Sequence, residues 1–208
     1  MSHDIVPSDA VGISTKTHAA RTTIFAQGDK AEQIFYIRKG RIKLTVTSDQ
    51  GKEAIVAIPG PGSFFGECAF NGRNFYYATA STLERSAITS IAAKSMSELL
   101  KADPNVARHF TAYLLERTFR LEDDLKDQLF SSAEKRLARL LVKLADHGRQ
   151  GEPTPVPVSL THSELADMVG TTRSRVTNFM GKFKKRGYIS YDGNIKVHHS
   201  MLDAVLEE

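Results

Sequence analysis

Short apolar segments alternate with glycine turns through the first half of the chain, at a spacing of about 8–12 residues. The clearest example is the segment 41–47, in which Ile42, Leu44 and Val46 occupy every second position. Such alternation is typical of a strand with one buried face. The series predicts a small antiparallel β-roll or barrel. The predicted strands cover 22–25, 33–37, 41–47, 53–58, 78–82 and 86–92, and a further segment opens at 63–67.

A helical pattern replaces the strand pattern in the middle of the chain. A short helix is predicted over 93–100 and a long one over 104–130, which begins with a proline, a favourable first helical residue. The long helix has two apolar stripes, and the shorter one, Leu115 and Phe119, is expected to pack on the roll. The longer stripe is expected to form a coiled-coil seam with a second copy of the chain, although a buried core helix has the same spacing. This candidate dimer interface consists of Phe110, Leu114, Leu121, Leu125 and Leu129.

The segment 161–199 has the pattern of two short helices followed by a hairpin. Thr161 and Glu164 have the capping-box spacing that marks a helix start, and Gly170 supplies a tight turn. Thr171 or Thr172 can cap the second helix. This order predicts a winged helix-turn-helix. The remaining signals are the apolar stripe Val176, Phe179, Met180 and Phe183, then Gly187 at the helix end, and the turn Asp192-Gly193-Asn194 between two strands.

Basic side chains dominate the second of these helices. Residues 171–190 include six basic residues and no acidic one. Arginine and small polar side chains at the helix start can meet base edges in a major groove, whereas the later Lys182, Lys184 and Lys185 suit phosphates. A solvated basic helix is the alternative, but the cap, turn and wing together favour DNA binding. The candidate DNA-binding residues are Thr161, Ser163, Thr172, Arg173, Ser174, Arg175, Thr177, Asn178 and Lys182.

Composition narrows the function classes. The net charge is +4, and the surplus lies mostly in residues 133–208, which have 12 basic and 9 acidic residues, as a nucleic-acid partner requires. A single cysteine, Cys68, excludes an internal disulfide framework and a four-cysteine metal or iron–sulfur site, and no cofactor or metal is predicted. No apolar run approaches the roughly 20 residues that span a bilayer, and the N-terminus lacks the apolar core of a signal peptide. We therefore expect a cytoplasmic protein with no membrane partner. It has no hydrolase, metalloprotease or phosphate-loop motif, so no enzyme is expected.

The patterns place the chain in the α+β class. Residues 1–20 are polar and unpatterned, which predicts a flexible leader. The remaining predicted parts are the roll at 21–102, the dimerisation helix at 103–131, and the helix-turn-helix domain at 132–208, with a first helix over 133–147 and an exposed proline-rich loop over 148–157.

Taken in order, these segments resemble the Crp/Fnr family of bacterial transcription regulators over about residues 20–200. The resemblance rests on G-D-K-A-E-Q-I-F-Y-I-R-K-G at 28–40, G-P-G-S-F-F-G-E at 60–67, the long helix, A-E-K-R at 133–136 and the winged helix-turn-helix. It implies a jelly roll like that of cyclic-nucleotide-binding domains, and a homodimer. The paired recognition helices of such a dimer bind a two-fold-symmetric operator with half-sites about 34 Å apart. It also implies contact with RNA polymerase through the loop 148–157.

The resemblance further implies an effector pocket in the roll. In cyclic-AMP-responsive members a Gly-Glu pair binds the ribose, and an Arg-Ser pair binds the phosphate through charged and hydroxyl hydrogen bonds. Here Gly66 and Glu67 match, but Tyr76 and Tyr77 occupy the Arg-Ser position. We therefore expect a different ligand in place of cyclic AMP. The alternatives are a cyclic-nucleotide-responsive activator and a constitutive regulator with no effector. Cys68 is either a redox thiol or, as we expect, a small buried residue. The candidate pocket residues are Gly66, Glu67, Cys68, Tyr76, Tyr77, Arg117 and Leu121.

The recognition helix departs from the best-known pattern of the family, which is Arg-Glu followed by a second arginine. This chain has Arg173-Ser174 and then Asn178. The glutamate that can accept a hydrogen bond from cytosine is missing, and asparagine prefers adenine. We predict an operator that differs from the best-known consensus at the innermost half-site positions.

Overall fold

The computed structural model describes residues 5–70, 72–145, 154–156 and 160–201. The chain forms two compact units that divide after Arg120. This division falls within the long helix, whereas the predicted boundaries give the helix a segment of its own at 103–131. The two units are described separately below.

The first unit is built on two antiparallel sheets. Its strands are β1 (Asp9–Ala10), β2 (Ile13–His18), β3 (Thr23–Phe25), β4 (Gln33–Lys39), β5 (Ile42–Thr47), β6 (Glu53–Ala57), β7 (Phe64–Phe65), β8 (Thr79–Thr82) and β9 (Ser86–Ala92). The order is β1-β2-β9-β4-β7 in one sheet and β3-β8-β5-β6 in the other. The predicted antiparallel β-roll is therefore confirmed.

Strand β4 lies between two hydrophobic cores because successive side chains of a strand point to opposite faces. Phe35 and Ile37 lie in the core that the two sheets share. Ile34 and Tyr36 lie in the second core, which includes residues of α1 (Ala93–Ala102) and of the start of α2 (Pro104–Phe130). Since both faces of β4 are buried, its apolar residues are consecutive and do not alternate with polar ones.

The segment before the roll is part of it, so the prediction of a flexible leader over residues 1–20 is wrong for the described residues 5–20. Strand β2 pairs antiparallel with β9 along its whole length. Hydroxyl groups meet across this pair, and Oγ1 of Thr15 lies 2.8 Å from Oγ1 of Thr89. Strand β2 was not predicted because its side chains are mostly polar. Its position comes from backbone pairing with β9 and leaves no apolar alternation in the sequence.

Helix α2 uses its apolar stripes differently from the prediction. Phe110 is only 5% exposed and packs edge-to-face on Phe64, with ring centroids 5.0 Å apart, so it belongs to the roll core and was wrongly placed in the dimer interface. Leu114 also packs partly on this core. Leu115 and Phe119, which were expected on the roll, are exposed. The apolar arc of the helix is broad, and the position of the sheet decides which part of the arc is covered.

In its described residues, the second unit contains the last part of α2, three further helices and a small sheet. The helices are α3 (Ala133–Leu144), α4 (His162–Val169) and α5 (Arg173–Lys185), and the strands are β10 (Thr154–Pro155), β11 (Ile189–Asp192) and β12 (Asn194–Val197). The sheet is antiparallel, in the order β10-β12-β11. The predicted winged helix-turn-helix is confirmed. Most of the predicted loop 148–157, and the end of the helix predicted to reach residue 147, lie outside the described residues.

Candidate DNA-binding surface and effector cavity

The turn between α4 and α5 consists of Gly170, Thr171 and Thr172. Helix α4 begins with the predicted capping box: Oγ1 of Thr161 accepts from the N–H of Glu164 at 3.2 Å, and Oε2 of Glu164 accepts from the N–H of Thr161 at 2.9 Å. Gly170 ends the helix with φ of 63°, a left-handed conformation that glycine adopts without steric cost. Thr172 then caps α5. The sequence signals of this turn are all confirmed.

Arg136, the last residue of the A-E-K-R motif, binds the ends of two helices. Its Nε–H donates to the carbonyl of Val169 at 3.0 Å, and its Nη1–H donates to the carbonyl of Ser131 at 2.7 Å. The last carbonyls of a helix lack intrahelical partners and carry partial negative charge, so a guanidinium satisfies both requirements. Arg136 thereby fixes the end of α4, and with it the helix-turn-helix, to α3.

All nine predicted DNA-binding residues have exposed side chains. Arg173, Ser174 and Asn178 lie in the first two turns of α5, and their side chains form no hydrogen bond with another described residue. Arg175 lies over the ring of Phe179, with its guanidinium carbon 6.0 Å from the ring centroid. The opposite face of α5 is buried through Val176, Met180 and Phe183. The helix therefore presents one polar, positively charged face.

Four of the predicted DNA-binding residues are engaged by other side chains. Arg175 lies over Phe179, and the hydroxyl of Thr161 donates to Oε2 of Glu164 at 3.0 Å. Lys182 forms an ion pair with Glu134 at 3.1 Å, and its ammonium lies 5.6 Å from the ring centroid of Phe179. Oγ1 of Thr177 lies 2.9 Å from Nδ1 of His162, the first residue of α4. His162 was not predicted, because the two residues are 15 positions apart and no local pattern connects them.

The hairpin of β11 and β12 forms the wing. Gly193 has φ of 72° at its tip, as the predicted Asp-Gly-Asn turn requires. Lys196 pairs with Asp192 across the tip at 2.7 Å, and the ammonium of Lys184 lies 5.6 Å from the ring centroid of Tyr191. Strand β10 adds to β12 and was not predicted, because a proline-containing pair of residues has no strand pattern.

The structure brings most of the predicted effector-pocket residues together. Gly66, Glu67, Cys68, Tyr76 and Tyr77 line one cavity of the roll, with Phe25, Leu44 and Ala78. Arg117 bonds to two of these residues. Leu121 is exposed and is not among the described residues that line the cavity. The volume of this cavity is about 10 Å³, which is room for about one water molecule.

Tyr76 is a buried part of the lining of this cavity. Its ring stacks on Phe25 with centroids 3.8 Å apart and is only 5% exposed. Its hydroxyl donates to the carbonyl of Gln33 at 2.7 Å and accepts from the N–H of the same residue at 3.2 Å. Burial raises the pKa of the Tyr76 hydroxyl, so the side chain is neutral at physiological pH. An uncharged aromatic ring therefore forms part of the cavity lining.

Arg117 of α2 is held by two residues of the roll. Its guanidinium forms an ion pair with the carboxylate of Glu67, and its Nη2–H donates to the hydroxyl of Tyr77 at 2.9 Å. The side chains of Arg117 and Glu67 are only 24% and 20% exposed. Burial lowers the pKa of Arg117 and raises that of Tyr77, and the guanidinium still carries its charge at neutral pH. Glu67 therefore already neutralises this charge.

Cys68 is buried beside this cluster. Its thiol donates to the carbonyl of Gly66 at 3.8 Å, and burial raises the pKa of the thiol. A buried, protonated thiol reacts slowly with oxidants and electrophiles. These observations favour the expected role of Cys68 as a small core residue over a redox role.

Comparisons with known proteins agree with this arrangement. The cyclic nucleotide-binding domain family matches residues 15–103, and the Crp-like helix-turn-helix domain family matches residues 135–200. A Thermus thermophilus protein named "Cyclic AMP receptor protein" is 29% identical over 186 residues, which is 89% of this chain and 82% of the relative. The "CRP-like cAMP-activated global transcriptional regulator" of Mycobacterium tuberculosis is 26% identical over 173 residues, which is 82% of this chain and 77% of the relative.

Solved structures share the fold at lower identity. A transcriptional regulator of the CRP family from Thermus thermophilus superposes with a TM-score of 0.77 at 20% identity, covering 92% of this chain and 97% of that one. The c-di-GMP-responsive global regulator of Xanthomonas campestris superposes with a TM-score of 0.75 at 20% identity, covering 90% and 95%. None of the described helices is both long and apolar enough to cross a membrane. A cyclic nucleotide-binding domain followed by a Crp-like helix-turn-helix places this chain in the Crp/Fnr family of transcription regulators.

Proposed function

We propose that this regulator binds a specific DNA operator through the exposed face of α5. The observation that carries the proposal is the set of three side chains at the start of α5, Arg173, Ser174 and Asn178, which are exposed and form no hydrogen bond with another described residue. In a major groove, arginine pairs with guanine and asparagine with adenine, each bidentate contact giving about 1–3 kcal/mol of discrimination. Thr161, Ser163, Thr172, Arg175, Thr177 and Lys182 complete the proposed surface, with backbone phosphates as the main partners of the basic residues.

We propose that the regulator acts as a homodimer through α2. The last three residues of the predicted seam, Leu121, Leu125 and Leu129, are each more than half exposed. Leu115, also more than half exposed, replaces the predicted Leu114, which packs partly on the roll core. With Thr118 these leucines repeat at the three- and four-residue steps of a coiled-coil seam. An exposed apolar stripe of this length in a soluble chain is typical of an interface. The dimer would present two copies of α5 to half-sites about 34 Å apart in a two-fold-symmetric operator. Contact with RNA polymerase is assigned to the loop 148–157.

For the roll, we propose that cyclic AMP is not the effector, and that the roll takes another small ligand or none. Relatives named as cyclic-AMP-activated share 24–26% identity with this chain, and the relative named as a cyclic AMP receptor protein shares 29%. In this chain, however, the cavity that Tyr76 lines has room for about one water, and Glu67 pairs with Arg117. A bound phosphate would have to break that pair to obtain a counter-charge. The small volume of the cavity favours the second candidate, a constitutive regulator whose roll binds no effector.

Operator affinity tests both parts of this proposal. An operator is selected from random DNA with the purified protein, and binding is followed by fluorescence anisotropy at fixed salt, because phosphate contacts make affinity salt-dependent. The titration is repeated with cyclic AMP, cyclic GMP and cyclic di-GMP. We expect tight, sequence-specific binding that none of the three changes by tenfold, a change that corresponds to about 1.4 kcal/mol of coupling. Failure to select an operator contradicts the DNA-binding proposal, and a tenfold gain with any nucleotide contradicts the proposal for the roll.

A further inference from the structure

Thr177 lies on the exposed face of α5, one position before Asn178, and its hydroxyl is engaged on two sides. Oγ1 lies 3.0 Å from the carbonyl oxygen of Arg173, one turn earlier in the same helix. It also lies 2.9 Å from Nδ1 of His162 on α4. Ser174 and Asn178 on the same face have no such hydrogen bond with a described residue. Among the small polar side chains of this face, Thr177 is therefore the one whose hydroxyl forms hydrogen bonds within the described part of the protein.

The hydrogen-bond inventory of a threonine hydroxyl limits what Thr177 can offer to DNA. A hydroxyl has one hydrogen to donate. In one arrangement the hydroxyl donates to the carbonyl of Arg173, and Nδ1–H of His162 donates to Oγ1. In the other arrangement the hydroxyl donates to Nδ1 of His162. In both arrangements the single donor is used within the protein. The oxygen is turned towards α4 and the preceding turn of α5, so the γ-methyl group is the part of the exposed side chain left to meet a base.

We infer that Thr177 contacts the C5-methyl group of a thymine in each operator half-site through its γ-methyl group, and that His162 is a positioning residue that holds Thr177 in this orientation. In the major groove, thymine alone among the four bases presents a methyl group, and a threonine methyl is an apolar partner for it. This inference rests on the proposed DNA-binding function. It adds a thymine to the guanine and adenine preferences of Arg173 and Asn178.

Replacing thymine by deoxyuridine tests the inference, because this change removes only the C5-methyl group. Each thymine of the selected half-site is replaced in turn, and operator affinity is measured by anisotropy at fixed salt. One replacement per half-site is expected to weaken binding by about fourfold, the effect of one buried methyl group. The affinity ratio of the thymine to the uracil operator at that position is the readout, and it is independent of the amount of active protein.

Two substitutions of Thr177 separate the methyl group from the hydroxyl. Thr177→Val replaces the hydroxyl by a second methyl group, so a methyl can face the base without the contact to His162, and this variant is expected to keep the ratio near four. Thr177→Ser keeps the hydroxyl and removes the methyl, and it is expected to bring the ratio to about one. If Thr177→Ser keeps the full ratio, or if Thr177→Val loses it, the inference is wrong. Far-UV circular dichroism confirms that both variants remain folded.

The positioning role of His162 has its own pair of variants. His162→Ala removes the partner of Thr177 and is expected to lower the thymine-to-uracil ratio from about four to about two. His162→Asn keeps a nitrogen near the place of Nδ1 and is expected to restore it. A His162→Ala protein with an unchanged ratio overturns the positioning role. If the wild-type protein selects no operator, the proposed function fails together with this inference; an operator without any methyl-dependent thymine overturns the inference alone.

Discussion

Breaking the pair between Glu67 and Arg117 is expected to destabilise the first unit of this regulator. Arg117→Met removes the guanidinium and keeps a long apolar stem, which preserves most of the packing of the side chain. The carboxylate of Glu67, four-fifths buried, then loses its counter-charge, and the hydroxyl of Tyr77 loses its donor. A buried polar group is costly once its partner is removed.

The degree of burial sets the expected magnitude. Removing one partner of a fully buried ion pair costs about 3–5 kcal/mol, whereas an exposed pair contributes about 0–1 kcal/mol. Since the side chains of Arg117 and Glu67 keep 24% and 20% of their exposure, we expect Arg117→Met to cost about 2 kcal/mol. Glu67→Gln should cost about 1 kcal/mol, because the amide oxygen still accepts from Arg117. In the double variant neither charge remains, so its cost should be less than the sum of the single costs by about 1 kcal/mol.

Urea denaturation of the four proteins, followed by far-UV circular dichroism and tyrosine fluorescence, measures this double-mutant cycle. A loss of about 2 kcal/mol lowers the melting temperature of a unit of this size by about 6–10 °C. The far-UV signal of β-strands reports mainly on the first unit, because its two sheets contain nine of the twelve strands in the described residues. Costs that add without any coupling would refute the reasoning, since they would mean that the two charges do not stabilise each other. An Arg117→Met variant as stable as the wild type would refute it as well.

Three further predictions address the turn, the dimer and the alkaline limit. Gly170→Ala is expected to lower the free energy of unfolding of the second unit by about 1–2 kcal/mol, because φ is 63° at this position. The control, Gly181→Ala, lies in the interior of α5 with open space around it and should raise the free energy of unfolding by about 0.5–1 kcal/mol. Equal effects of the two substitutions in urea denaturation would contradict the prediction. Leu125 is 60% exposed in the single chain, and Leu125→Lys places a charge in the proposed seam. This variant should be a folded monomer in light scattering. A dimer as stable as that of the wild type would exclude α2 as the interface. Burial raises the pKa of Tyr113 to about 12, above the value of about 10 in an unfolded chain. The folded state therefore keeps this proton after the unfolded state has lost it. The free energy of unfolding is thus retained below pH 10 and falls by about 2 kcal/mol towards pH 12. Tyr113→Phe should make this fall measurably smaller in urea denaturation at alkaline pH.

The sequence by itself determined the elements whose signals lie within a few residues. The capping box of Thr161 and Glu164, the turn at Gly170 and the tip at Gly193 each depend on local backbone geometry, and all occur at the predicted positions. Helix α2 has the predicted bounds, because a proline start and a continuous apolar period are also local properties. The basic face of α5 follows from the same periodicity. These signals are sufficient to predict the fold class and the exposed residues at the start of α5.

The tertiary structure alone decided which residues meet across elements. Strand β2 owes its place to backbone pairing with a strand far along the chain, which its polar sequence does not encode as an apolar pattern. Phe110 is buried and Leu115 exposed because the sheet covers one part of a broad apolar arc. The contact of His162 with Thr177 has no sequence signal, since the two residues are 15 positions apart and meet only through packing. Glu67 and Arg117 are 50 positions apart, and only the family resemblance, not a local pattern, placed them in one pocket. Side-chain partners depend on sheet register and helix rotation, and these are settled when the whole core packs.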